Sequence, residues 1–113
     1  MILFFSFLII PDSMWSALCS MGNVLHSQGK FPEALEVHNK ALVIYLKIHG
    51  HMHPHVAGTL GNISNVYQAQ GKFPEALETF KKVLNIFEKI HGHMHLDVAT
   101  TYMKYGIVIF FLK

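Results

Sequence analysis

Residues Gln28–Glu36 read QGKFPEALE, and residues Gln70–Glu78 read QGKFPEALE again, an unchanged return after 42 positions in a chain of 113. A second block, KIHGHMH, fills Lys47–His53 and Lys89–His95 at the same offset. Between the blocks the residues change but keep their character: Leu42 answers Leu84, Ile44 answers Ile86, and Tyr45 answers Phe87. A duplicated unit of this length indicates a repeat architecture, in which each unit is a supersecondary element that buries its apolar face only by stacking on its neighbours.

Within the second unit Phe73, Ala76, Leu77, Phe80, Val83, Leu84, Phe87 and Ile90 recur in steps of three and one. That spacing places them on one stripe of an α-helix. Pro74 fits the first turn, where its missing N–H would have had no partner. Glu75 and Glu78 then lie near the positive end of the helix dipole, and Lys81, Lys82 and Lys89 follow toward its negative end. Val56, Leu60, Ile63, Val66 and Tyr67 mark one side of a preceding helix, and Gly71-Lys72 breaks the chain between the two. The unit is therefore helix A, a tight turn, helix B and a loop. Gly50 and Gly92 are expected to be left-handed residues ending each helix B. His49 and His91 stand where positive charge suits the dipole, and Pro54 marks the next helix start.

The stretch LGNISNVYQAQGKFPEALETFKKVL resembles a tetratricopeptide repeat, with Ile63, Ser64, Tyr67, Gly71, Phe73, Ala76 and Phe80 at its characteristic positions. The 42-residue period, with Gly50, His53, Pro54, Val56 and Ala57, is similar to the longer kinesin light chain type. The next copy keeps Gly92, His95, Val98 and Ala99 but has Leu96 for the proline. The resemblance covers roughly Asp12 to Gly106. It implies an all-α fold, a right-handed solenoid of antiparallel helix hairpins (tetratricopeptide-like) with about two and a half repeats. The expected organisation is an atypical apolar N-terminal segment at 1–11, repeat 1 at 12–53, repeat 2 at 54–95, and the first helix of an incomplete repeat 3 at 96–113. In repeat 1, Met21, Gly22, Leu25, Gly29, Phe31, Ala34 and Ala41 keep the register. His38 stands where Phe80 stands in repeat 2, and is expected to be a neutral, partly buried space filler.

Composition narrows the function. A net charge of +2, with no basic cluster larger than Lys81-Lys82, excludes the electrostatic footprint of nucleic-acid binding. Cys19 is the lone cysteine, which rules out an internal disulfide and suits a reducing, cytoplasmic compartment. The apolar runs at Met1–Ile10 and Ile107–Leu112 are too short to span a bilayer. The first has the length of a signal core but no basic flank or clear cleavage site. Left uncovered, apolar ends would favour self-association, and further repeats would cover them.

No nucleophile elbow, P-loop, dinucleotide fingerprint or H-E-x-x-H occurs. Cys19 and His26 share a helix face but stand about 10 Å apart along it, too far for a thiolate and its base. Glu33/Glu36 recur as Glu75/Glu78, which fits a repeated first turn better than a catalytic pair. The chain is therefore expected to be non-catalytic and to need no cofactor.

In the resembled family helix A lines the inner surface, and the register implies which residues face it here. They are Ser16, Cys19, Ser20, Asn23 and His26, then Gly58, Gly61, Asn62, Asn65, Gln68 and Ala69, then Thr100, Met103, Lys104 and Ile107. Asn62 and Asn65 share a face and could clasp a peptide backbone. Gly58 and Gly61, each costing about 1 kcal/mol of helix propensity against Ala, would leave room for a ligand. Lys104 could meet an acidic side chain or a terminal carboxylate. The expected partner-binding set is Ser20, Asn23, Asn62, Asn65, Gln68 and Lys104, taking a protein or peptide partner, with a kinesin light chain-like cargo adaptor as one form. Two alternatives stand beside it. His51, His53, His55, His93 and His95 alternate in the inter-repeat loops and could hold a transition metal if those loops are extended; or the chain is a truncated array without activity of its own.

Overall fold

In this computed structural model the structure describes residues 12–92 and 94–112. The apolar segment 1–11, His93 and Lys113 lie outside the described residues. Among the described residues five helices follow one another: α1 (Asp12–Ser27), α2 (Phe31–His49), α3 (Pro54–Ala69), α4 (Phe73–His91) and α5 (Leu96–Leu112). They form two hairpins and the first helix of a third, an all-α solenoid.

The tight turns inside the hairpins are built alike. Gly29 N–H bonds to His26 O at 2.9 Å and Lys30 N–H to Leu25 O at 2.9 Å; Gly71 N–H bonds to Gln68 O at 3.0 Å and Lys72 N–H to Tyr67 O at 2.8 Å. This pair of bonds satisfies carbonyls left open at a helix end and turns the chain. Pro74 then occupies the first turn of the next helix, as expected, and Pro32 does the same in the first hairpin.

The loops between hairpins differ from the expectation in one respect. Gly50 and Gly92 have φ of +77° and +80°, but ψ of −174° and 179°. They are not left-handed helical residues; they occupy an extended region of positive φ that is essentially confined to glycine. The next helix is then capped by the loop histidine. His53 Nδ1 accepts the N–H of His55 at 3.1 Å, and His95 Nδ1 accepts the N–H of Asp97 at 3.1 Å. A neutral imidazole here does the work that Ser or Asp does at most helix starts.

Each helix packs on the next, and α1 also touches α3 directly. The A helices α1, α3 and α5 therefore line one side and the B helices α2 and α4 the other. Ala41, Tyr45, Val56, Ala57, Val83 and Ile86 form the main core, with Trp15 and Leu18 of α1 packed against it. Phe80 centres a second cluster with Ala76 and Val108, which attaches α5. Ala34, Ala41, Ala57 and Ala76 are completely buried, because helices approach closely only where side chains are small. Burial of a ring such as Phe80 contributes up to about 3 kcal/mol. His38 is fully buried rather than partly buried, and neither ring nitrogen has a hydrogen-bond partner among the described residues.

Candidate functional site

A cleft of about 230 Å³ opens between α3 and α5, floored by Phe80, Val83 and Phe87 of α4. One wall carries Gly58, Gly61, Asn62 and Asn65; the other carries Asp97, Thr100, Thr101 and Lys104. The helical spacing explains the first wall, since residues three and four apart share a face. The second wall faces it because α5 packs on α4 beside α3.

Of the six residues expected to bind a partner, the cleft gathers Asn62, Asn65 and Lys104. Ser20 and Asn23 are exposed on α1, and Gln68 is half-buried; none of the three lines the cleft. Cys19, on the same expected stripe, is buried. Burial pushes its thiol pKa up, while hydrogen bonds with the side chains of Thr59 and Asn62 pull it the other way. Asn62 thus faces both the cleft and the α1–α3 contact.

The two glycines of this wall are small for different reasons. At Gly61 an added Cβ would meet nothing within 4 Å, so the missing side chain does open the cleft. At Gly58 it would come within 2.9 Å of the Trp15 ring, so that glycine is needed for α1 to approach α3. Trp15 donates its indole N–H to Thr59 Oγ1 at 2.9 Å and to His55 O at 3.1 Å. Repeat register gives no hint of this: Trp15 stands where the later copies have Ala57 and Ala99.

The first inter-repeat loop does not form the extended histidine row. Pro54 opens α3, so His55 lies within a helix, where it stacks on Trp15 with ring centroids 4.3 Å apart. His51 is exposed and lies at the edge of a second, apolar cleft of about 360 Å³, whose walls include Leu42, Leu46 and Leu60. Among the described residues, the histidines that converge with a carboxylate are His91 and His95, which meet Asp97. No helix among the described residues is long and apolar enough to cross a membrane.

Antiparallel helix hairpins stacked with their A helices around a polar cleft define a helical-repeat protein of the tetratricopeptide class. The tetratricopeptide repeat profile matches residues 13–89 and 55–112, and the chain belongs to that family, whose repeats generally mediate protein–protein interaction. The fold is similar to that of BtubC (BKLC) from P. vanneervenii, at 21% identity and a TM-score of 0.80, covering 89% of this chain and 40% of that one. It is also similar to the kinesin light chain nearly identical TPR-like repeats of Podosopora anserina, at 20% identity and a TM-score of 0.76, covering 87% and 46%. The chain thus spans less than half the length of either. No curated protein matches it in sequence.

Proposed function

We propose that this chain is a non-catalytic interaction module that holds an extended peptide segment of a partner protein in the cleft between α3 and α5. The observation that carries the reading is that Asn65 and Lys104, from different repeats, share one cleft with the unoccluded Gly61. Asn65 offers amide donors and an acceptor to a peptide main chain, and Lys104 offers an ammonium to an acidic side chain or a terminal carboxylate. Asn62 contributes from the same wall, although its contact with Cys19 ties part of its role to packing. An adaptor or scaffold in a reducing, cytoplasmic setting is the natural context, and the fold's likeness to kinesin light chain repeats makes cargo attachment one form of it.

The test is selection of peptides from a random display library on the intact chain, followed by affinity measurement with Asn65→Ala and Lys104→Glu. Both variants should keep wild-type helicity and lose at least about tenfold in affinity. Peptides that bind both variants as well as wild type would overturn the groove assignment.

A further inference from the structure

The two junctions between hairpins repeat one histidine arrangement, and only the second adds a carboxylate. At the α2–α3 junction the rings of His49 and His53 stack with centroids 3.8 Å apart and planes 8° from parallel. At the α4–α5 junction His91 and His95 do the same at 3.9 Å and 14°. Residue 55 in the first junction is a histidine that stacks on Trp15 and meets the rings of His53 and His49 edge-on at 4.8 and 5.6 Å. Its counterpart in the second is Asp97, whose Oδ2 lies 3.5 Å from His91 Nε2 and 3.6 Å from His95 Nδ1.

Those separations are long for hydrogen bonds. They suit the edge of a coordination tetrahedron, since bonds of about 2.1 Å from zinc to nitrogen or oxygen place neighbouring ligand atoms about 3.4 Å apart. The three residues offer ligand atoms that all lie within 4.8 Å of one another, and no other such group is found among the described residues.

We propose that His91, His95 and Asp97 form a binding site for one divalent transition metal ion of the zinc type, taken by His91 Nε2, His95 Nδ1 and Asp97 Oδ2. Two imidazoles and one carboxylate suit Zn(II), Co(II) or Ni(II) rather than the all-oxygen preference of Ca(II) or Mg(II). Three protein ligands leave a position for water or for a group from outside the chain. The ligands come from the last turn of α4, the loop and the first turn of α5, so the ion would clamp two helices together. His91 is braced by ring stacking on Phe87. The side chains of His91, His95 and Asp97 are 24%, 42% and 49% exposed, open enough for an ion to enter without disturbing the core. The ion would take the His95 Nδ1 lone pair that now accepts the Asp97 N–H, giving up one capping bond.

The experiment uses the full chain, free of any affinity tag and stripped of metal with a chelator. It is titrated with Co(II) while the visible absorption of the bound ion is recorded, then with Zn(II) in competition. One equivalent should bind, with the intense bands of a tetrahedral site, and the amide proton of Asp97 should shift as its capping bond is released. His91→Ala and Asp97→Asn should each weaken binding at least about tenfold. His49→Ala combined with His51→Ala, which alters the first junction, should leave it unchanged. Circular dichroism checks that each variant is folded, and Asp97→Asn keeps the side-chain shape should His91→Ala prove unstable. Absence of an equimolar site, binding that survives Asp97→Asn, or binding lost with the first-junction variant would each overturn the proposal.

Discussion

The ring of His38 occupies the space that a Cβ on Gly22 would need. In the second repeat the equivalent residues are Phe80 and Ser64, both buried. A ring with two polar atoms has replaced an apolar ring, and a residue without a side chain has replaced serine. The hydrogen-bonding capacity of His38 is left unmet in a buried place, which is unfavourable by about 1–3 kcal/mol. His38→Phe should therefore stabilise the chain by about 1 kcal/mol in urea denaturation, provided the larger ring settles against Gly22.

The same pair gives a coupling test. Gly22→Ala should destabilise by about 2 kcal/mol through overpacking. In a His38→Ala background most of that penalty should vanish, giving a coupling energy above about 1 kcal/mol in a double-mutant cycle. Additive effects would show that the contact is relieved by other movements.

Burial lowers the pKa of His38 below its ordinary 6.5, and the neighbouring His26 lowers it further. The unfolded chain then binds more protons than the folded one, so the contribution of neutral His38 is complete above pH 6.5 and is lost as pH falls from there through the folded-state value. His38→Phe should remove this part of the acid sensitivity, seen as a flatter plot of unfolding free energy against pH below the ordinary histidine range.

Trp15 is the sole tryptophan of the chain, so its fluorescence reports on the α1–α3 contact directly. Trp15→Phe removes the N–H shared by Thr59 Oγ1 and His55 O. Stability should fall by about 1–2 kcal/mol. Thr59→Val, which leaves the indole in place but takes away one acceptor, should shift its emission and cost less.

Gly61→Ala separates stability from binding. The added methyl meets no neighbour, so the helix should gain up to about 1 kcal/mol from propensity alone. The same methyl narrows the cleft, so affinity for a library-selected peptide should fall. A variant more stable and equally able to bind would place the peptide elsewhere.

On α5, Met103 is 65% and Phe110 75% exposed, and Phe111 and Leu112 are exposed as well. Exposed apolar side chains in such number are a general mark of association surfaces, and a second copy is the occupant to test. Met103→Glu with Phe110→Glu should lower the weight-average mass in concentrated samples, measured by sedimentation equilibrium.

Repetition made the helices readable. The stripe from Phe73 to Ile90, the glycine breaks and the proline starts are local signals, and each occurs twice, so the second copy checks the first. Departures from the register were harder to interpret. Trp15 is legible as a letter, yet nothing in the chain shows that it reaches residues some forty positions away. Gly58 and Gly61 look alike in the sequence, but one meets a ring and the other open space. Of the cleft residues, Asn62, Asn65 and Lys104 followed from register, whereas Asp97 and Thr101 depended on how α5 docks.

KIHGHMH shows where local information ends. By itself the sequence determined that these blocks close one hairpin and open the next, because a glycine after an apolar helical stripe and a boundary before the next helix are properties of the backbone. Only the tertiary structure decided what the histidines do: His53 and His95 cap helices, His55 lies against Trp15, and His91 meets His95 and Asp97 across the junction. The physical reason is that helix period and chain breaks depend on neighbours along the chain, whereas the partner of an imidazole depends on which helix packs above it.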